Sequence, residues 1–197
     1  MVGKNIGFIN LLKPKIEHPL IEFHCIIHQK VLCAKRGLKP FDNVISIVTR
    51  VGNYISTQAL NKREFSKLLE EIDFQYSGLL MYNNFRWISY GQVLNRFVNL
   101  LDEIKIFLHK KEKIYPELAN EEWLKNLMFL CDLTQHFNEL NKKLQGRGQI
   151  ALTMYENIKS FMIKIDIFIN DLNSKTMKYF PCLKRKFFQK GLINLNN

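Results

Sequence analysis

A cluster of histidine and cysteine residues near the amino terminus is the first group that could do chemistry. The string H-C-I-I-H is followed by Cys33, so Cys25, His28 and Cys33 could supply three of the four ligands that zinc requires. A second pair at zinc-finger spacing is missing, because Cys131 and Cys182 stand alone in the sequence. If this stretch forms a strand, as its alternating apolar pattern predicts, Cys25 and His28 point to opposite faces. The pattern favours buried, reduced thiols over a zinc site.

Acidic residues show no pattern typical of a hydrolase or a metal-dependent nuclease. Acid–base and two-metal catalysis need clustered carboxylates that project into one site. The aspartates instead lie at predicted helix starts and ends or within amphipathic helices: Asp42, Asp73, Asp102, Asp132, Asp166 and Asp171. No cysteine carries the basic neighbourhood of a nucleophile. A catalytic set is therefore not visible in the residues, and no small-molecule substrate is expected.

An arginine beside a tryptophan distinguishes the stretch NNFRWISYGQVL, in which the pair is Arg86 and Trp87. Arginine is a natural stacking partner for tryptophan, and an amphipathic helix is predicted to begin just after the pair. Trp87 could pack in the core over the start of this helix. It could also present an aromatic face to a nucleic-acid base. The sequence leaves both interpretations open.

Basic residues outnumber acidic ones throughout the chain. Lysine and arginine total 29 against 18 aspartate and glutamate residues, which makes the formal net charge +11. Such a balance favours a polyanionic partner, either nucleic acid or an acidic membrane surface. Lys184, Arg185 and Lys186 lie among three phenylalanines and resemble a strip for phosphate and base contacts, although a solvated tail has the same composition.

Apolar residues at intervals of three and four predict five helices after a short helix and a strand in residues 1–28. The starts of the five are indicated by Asp42, by Asn61 with Glu64, by Ser89 with Gln92, by Asn120 and by Gln149. The third is predicted to continue to Lys111, and the inner face of the fifth to carry Met154, Ile158, Phe161, Ile165, Phe168 and Leu172. Short connections between them predict a mainly α fold, an antiparallel helical bundle.

Two polar features lie within or after these helices. His136 and Asn138 are predicted to form satisfied hydrogen bonds inside the bundle. From Met177 onward the chain is basic and aromatic, and no partner element is predicted for it.

Composition points to an intracellular protein. With 47% hydrophobic and 24% charged residues, the chain can bury a proper core. Dispersed cysteines suit a reducing compartment. We find no signal-peptide pattern and no apolar run long enough to span a bilayer, so a nuclear or cytoplasmic location is expected, with no membrane partner.

Three strings together carry a family resemblance: FHCIIHQKVLCAK, NNFRWISYGQVLNRF and NEEWLKNLMFLCDLTQHFNELNKKLQG. In this order they resemble the hAT-type transposase-derived proteins of animals. The most similar subgroup contains BED-type zinc-finger proteins and proteins of the general transcription factor II-I repeat domain-containing protein 2 type. In that family a ribonuclease-H-like core with an Asp-Asp-Glu metal site is interrupted by a large all-helical insertion.

The resemblance implies a division of the chain. Residues 1–28 correspond to a helix-strand remnant of the ribonuclease-H-like core, and Cys25 and His28 match a family motif on its last strand. Residues 29–180 correspond to the helical insertion domain, in which Arg86 and Trp87 match an Arg-Trp motif, and residues 181–197 form a basic tail. In active relatives that tryptophan stacks on a flipped base at the transposon end, which fits the energetics of base flipping.

The resemblance also implies what is missing. The family's three carboxylates and its BED zinc finger correspond to segments outside this chain, so no cofactor is expected here, and Mg²⁺ belongs only to the full-length active family. We therefore expect a truncated or domesticated hAT transposase-derived protein, catalytically inactive, that contacts DNA through a basic surface and Trp87. The alternative is a helical protein-interaction scaffold with no nucleic-acid role. Homo-oligomers could form through the missing or exposed core.

Overall fold

The computed structural model describes residues 11–16, 18, 36–71, 78–79, 87–146, 148 and 150–186. Within these ranges every regular element is helical, which confirms the mainly helical fold. The α-helices are α1 (Asp42–Thr57), α2 (Ala59–Glu71), α3 (Trp87–Asn99), α4 (Leu101–Lys110), α5 (Glu121–Leu144) and α6 (Ala151–Asn173). Short 3₁₀ helices span Lys13–Lys15, Lys39–Phe41 and Pro116–Ala119, and residues 181–186 form one further helical segment. The predicted strand in residues 21–28 lies outside the described residues.

The junction of α1 and α2 differs from the predicted helix starts. Asp42 is the first residue of α1 and not its cap, since the capping position is Phe41 and carries no side-chain hydrogen bond. Asn61 does not open α2, because that helix begins two residues earlier. The buried Asn61 amide instead donates to the Tyr54 carbonyl oxygen at 3.0 Å and to Gln58 Oε1 at 2.6 Å. Asn61 thus satisfies a free carbonyl at the end of α1, which is a role that local spacing does not indicate.

The helix predicted to run without interruption to Lys111 is divided in two. The backbone leaves the helical region at Leu100 (φ −106°, ψ 19°), between α3 and α4. The Leu100 N–H still donates to Arg96, and its carbonyl accepts from Ile104, so the interruption is a local distortion and not a loop. The helix also starts earlier than predicted, at Trp87, which places Ser89 within the first turn instead of at the cap.

Helix α5 lies at the centre of the described fold. It packs against α1, α3, α6 and the 3₁₀ helix that precedes it. The predicted cap is confirmed, because the Asn120 side chain accepts a hydrogen bond from the Trp123 N–H at 2.9 Å. The same helix contributes to the main core and, at its far end, to a smaller cluster formed by Leu140, Leu144 and Phe161. No helix in the described ranges has the length and apolar character needed to cross a membrane.

The segment 177–186 returns to α5 after α6 ends. Phe180, Cys182 and Leu183 are buried in the main core, and Phe180 stacks on Phe129 with ring centroids 5.4 Å apart. The expectation that the chain lacks a partner element from Met177 onward is therefore wrong for these ten residues. Aromatic burial holds the segment in place, which a reading of local periodicity cannot detect.

Candidate functional site

A polar cleft of about 430 Å³ lies between α3, α5 and the segment around Tyr179. Helix α3 lines it with Gly91, Gln92 and Asn95. Helix α5 lines it with Asp132, Gln135, His136, Asn138, Glu139 and Lys142. Four of these side chains are carboxamides, each with both a donor and an acceptor. The cleft thus offers neutral hydrogen-bonding groups beside charged ones, which are the Asp132 carboxylate and the pair in which the Lys142 amine donates to Glu139 at 2.7 Å.

Gly91 allows α3 and α5 to approach closely beside this cleft. A Cβ atom at Gly91 would lie 3.3 Å from Asn138 Cγ and 3.5 Å from the Thr134 carbonyl oxygen, and closer still to the Asn138 amide nitrogen. A side chain at this position would therefore displace the Asn138 amide. The cleft depends on a residue without a side chain at this point of α3.

Replacing Gly91 by alanine should stabilise the protein less than the same change at Gly52. Both glycines lie inside helices, where alanine is better by about 0.5–1 kcal/mol. A Cβ at Gly52 meets no atom within 4 Å, so Gly52→Ala should show the full gain, whereas Gly91→Ala must also move Asn138. We expect the two free energies of unfolding to differ by about 1 kcal/mol in denaturant titrations. Equal gains would show that α3 and α5 are not in close contact there.

His136 is held in place on the floor of the cleft. Its Nε2 atom donates to the Tyr179 carbonyl oxygen at 2.8 Å. Its ring stacks on Phe168 with centroids 4.2 Å apart and meets the edge of Phe180 at 5.8 Å. The predicted interior hydrogen bond is therefore confirmed for His136, which links α5, α6 and the returning segment.

Asp132 fastens the returning segment to α5. Its two carboxylate oxygens accept from the backbone N–H groups of Cys182 at 3.1 Å and Leu183 at 3.0 Å. Burial raises the pKa of the Asp132 carboxyl above its ordinary value, although these hydrogen bonds and the nearby His136 act in the opposite direction. Asp132 thus caps the helical segment 181–186 from another helix.

Asp171, near the end of α6, orders the turn that leads to the cleft. Its carboxylate accepts from the backbone N–H groups of Lys178 and Tyr179, each at 2.9 Å, and from the Thr176 hydroxyl. Burial opposes ionisation here, but the hydrogen bonds prevail and the pKa of Asp171 is lowered. Lys175 and Met177 adopt positive φ angles of 56° and 48°, so the carboxylate stabilises a backbone conformation that these residues rarely adopt.

The two thiols of this region lie together. Cys182 Sγ is 4.0 Å from Cys131 Sγ, both residues are buried, and both are free cysteines. Both thiols are buried, as predicted. The segment 177–186 returns to α5 and so brings together two cysteines that lie 51 positions apart in the sequence. The hydrogen bond to Cys131, then burial and the charge of Asp132, raise the pKa of the Cys182 thiol far above its ordinary range. A thiol held protonated in this way is a poor nucleophile.

Only some of the residues singled out in the sequence belong to the described structure. Trp87 is the first residue of α3, one helical turn before Gly91, while Cys25, His28 and Arg86 lie outside the described residues. Lys184, Arg185 and Lys186 occupy the helical segment that Asp132 caps, and Arg185 is exposed. Helix α3, which begins at Trp87, and the helical segment 181–186, through Pro181, therefore each contribute residues to the cleft.

The sequence singled out Asn138 and Gln92, but not as members of one site with Asn95 and Gln135. Gln92 and Asn95 on α3, and Gln135 and Asn138 on α5, each repeat at an interval of three residues within amphipathic helices. That spacing puts each pair on one helix face, which was a usable signal. Within the described ranges, no group of three or more His, Cys, Asp or Glu side chains is arranged to hold a metal ion.

A second cleft, of about 620 Å³, is larger but is formed by one continuous stretch of the chain. It lies between the end of α4 and the 3₁₀ helix Pro116–Ala119, and its lining comes from residues 105–119 alone. It gathers no carboxamide groups and includes no residue of α3. We therefore regard the smaller cleft, which brings together side chains from three separate segments, as the candidate site.

Comparisons with known proteins identify relatives of the whole region. The family model of the FAM200/GTF2IRD2 helical domain matches residues 24–173. The general transcription factor II-I repeat domain-containing protein 2 of Bos taurus is 40% identical over 189 residues, which cover 93% of this chain and 20% of that protein. The protein of the same description from Mus musculus is 34% identical over the same length. The chain thus spans about a fifth of the length of these relatives, and no solved structure matches it.

Proposed function

The chain belongs to the FAM200/GTF2IRD2-like family of transposase-derived proteins, and from that membership we propose that its helical domain binds DNA without catalysing a reaction. The proposed contacts are the aromatic ring of Trp87 for an unstacked base and the basic groups of Arg86, Lys184, Arg185 and Lys186 for phosphates. The proposed location is the nucleus, where DNA is the polyanion that a net charge of +11 would meet.

The observation that carries this proposal is the surroundings of α3. The helix begins at Trp87, and its second turn lines a cleft rich in carboxamides, among them Asn95 and Asn138. Asparagine and glutamine side chains form paired hydrogen bonds with base edges, adenine above all. Carboxamide donors and acceptors in a cleft beside a basic helical segment suit a base that has left its stack.

The finer architecture belongs to the same proposal. We propose that the helices form an antiparallel bundle spanning residues 29–180, that residues 1–28 are a remnant of a ribonuclease-H-like core, and that residues 181–197 are a basic extension whose first six residues pack against α5. A helical insertion of this kind positions nucleic acid, while metal-dependent chemistry needs carboxylates grouped around Mg²⁺. The proposed role of this domain is therefore recognition.

A second candidate function is a helical scaffold for protein interaction. The observation that favours it is the exposure of large apolar side chains along α6, including Tyr155, Met162 and Ile163. Exposed apolar surface of this extent marks an interaction site in many proteins. The scaffold and the DNA-binding role use different faces, so measurements on DNA can separate them.

Binding of fluorescent DNA tests the first candidate. We expect the intact chain to bind duplex DNA with an affinity that falls steeply with salt, and to prefer a duplex that carries an unpaired or hairpin end. Because stacking of a base on an aromatic ring contributes about 1–3 kcal/mol, Trp87→Ala should weaken binding to the distorted duplex roughly 5–150-fold, and binding to plain duplex far less. Trp87→Phe should restore most of the preference.

Charge variants supply the matched control. Neutralising Lys184, Arg185 and Lys186 to glutamine should reduce the dependence of affinity on salt. Neutralising the three exposed basic residues of α2 (Lys62, Arg63 and Lys67) removes the same charge at a distance from the cleft and should reduce it less. If Trp87→Ala weakens binding to both DNA forms equally, the stacking role is wrong. Equal effects of the two triple variants would indicate non-specific DNA binding, of the kind that any basic protein shows.

A further inference from the structure

Helix α6 is apolar on most of its circumference. Phe161 and Phe168 face the core, yet Tyr155 and Met162 are 61% and 62% exposed, and Ile163, Ile165, Ile167 and Ile169 are exposed as well. A helix that is apolar all round is normally buried all round. The described chain covers only one side of α6.

One edge of the uncovered side, where it meets the core, has the periodicity of a helix that pairs with another helix. Starting from Tyr155, apolar residues follow at alternating intervals of three and four: Tyr155, Ile158, Met162, Ile165, Ile169 and Leu172. We call this set the α6 seam. It has the heptad spacing of a two-helix coiled coil, with Tyr155, Met162 and Ile169 at one core position and the other three at the second. Ile158 and Leu172 also touch the core, so a partner on the seam would extend the existing core.

Charges beside the seam indicate the direction of that partner. Lys159 and Asp166 are both exposed and occupy the same heptad position, seven residues apart. In an antiparallel pair of identical helices this position meets its own equivalent on the other helix, with residue numbers that add to two less than those of the facing core residues. When Met162 packs beside Ile165 of the other copy, Lys159 lies opposite Asp166. In a parallel pair the same position would meet Phe161 and Phe168, which are already buried.

We propose that two copies of this chain associate through antiparallel pairing of α6 along the seam, with two symmetric Lys159–Asp166 ion pairs across the interface. The seam is self-complementary in both apolar spacing and charge, as a two-fold interface requires. A second copy therefore fits this surface without any further partner. The proposal is independent of DNA binding.

Sedimentation of the intact chain as a function of concentration tests the pairing. We expect a monomer–dimer equilibrium in the wild-type chain. Lys159→Asp and Asp166→Lys should each weaken dimerisation about tenfold or more, because each places like charges opposite each other twice. The double variant Lys159→Asp with Asp166→Lys reverses both partners and should restore the wild-type dissociation constant. Rescue of this kind is specific to the antiparallel register.

Two controls make the result decisive. Glu156→Lys with Lys164→Asp exchanges charges elsewhere on α6, away from the seam, and should leave the dissociation constant unchanged. Because the exchanged side chains are exposed, helical content measured by circular dichroism should be the same in all variants. A wild-type chain that stays monomeric at all concentrations would overturn the proposal and leave the surface to another protein. A dimer that the single variants do not weaken, or the double variant does not restore, would equally overturn it.

Discussion

Replacing Phe180 by alanine should lower the free energy of unfolding by about 3–5 kcal/mol, as expected for loss of a fully buried aromatic ring. Phe180 is 1% exposed and lies in a cluster of rings with Phe129, His136 and Phe168. The ring joins α5 and α6 to the segment 177–186, so its removal leaves a cavity where three segments meet. Denaturant unfolding monitored by circular dichroism measures the loss.

The variant Phe180→Leu provides the comparison. Leucine retains apolar volume but loses the stacked contact with Phe129 and the edge contacts with His136 and Phe168, so we expect a smaller cost of about 1–2 kcal/mol. Limited proteolysis should also cut within residues 177–186 faster in Phe180→Ala than in the wild-type chain. A loss below about 1 kcal/mol in Phe180→Ala would mean that this segment does not belong to the cooperative fold.

Helix interiors could be predicted because the signal is local. On α5, residues such as Leu124, Leu127 and Leu144 recur at helical spacing and are buried. On α6 the same reasoning was right for Phe161 and Phe168 but wrong for Ile165, which is 39% exposed. Periodicity identifies an apolar face, but the width of the sector that the rest of the chain covers depends on which helices pack there.

Capping residues could be predicted only where the cap serves its own helix. Asn120 accepts from an N–H three residues ahead, and this interval is visible in the sequence. Asn61 instead serves the helix before it, and Asp132 serves a segment fifty residues away. The residues next to each of these side chains in the sequence do not indicate which distant backbone groups it contacts. Their roles follow from tertiary structure alone.

The candidate site was predictable to a similar extent. Trp87 and the basic triplet stand out by residue type, whereas the carboxamides between them belong to two helices separated by some forty residues. The role of Gly91 depends on the close approach of α3 to Asn138, which the sequence does not show. A cleft is a property of packed elements, so single-sequence patterns can name its contributors but not bring them together.

Replacing Asp132 by alanine should release the helical segment 181–186 from α5. Each of the two N–H groups that the carboxylate satisfies would be left buried without an acceptor, at a cost of about 1–3 kcal/mol per group. Hydrogen exchange of the Cys182 and Leu183 amides should accelerate in step with the loss of stability. Asp102→Ala, at an exposed position in the first turn of α4, is a suitable control, and it should cost less than about 1 kcal/mol. Unchanged exchange at Cys182 and Leu183 would contradict the role assigned to Asp132.

The variant Asp132→Asn should then provide a reference that does not titrate, although its side chain keeps only one of the two acceptor oxygens. Because burial raises the pKa of Asp132 in the folded state, the folded chain takes up a proton at a higher pH than the unfolded chain. The carboxyl group therefore contributes stability that is fully present below the unfolded pKa and is lost as pH rises through the folded pKa.

Asparagine does not titrate, so the stability of the wild-type chain relative to Asp132→Asn should be greatest near about pH 4. This difference in stability should shrink as pH rises, by about 1.4 kcal/mol for each unit of difference between the folded and unfolded pKa values. Denaturant titrations of both proteins from about pH 4 to about pH 7 measure this difference. A difference that grows with rising pH would show instead that the hydrogen bonds from Cys182 and Leu183 outweigh burial and hold the pKa below its ordinary value.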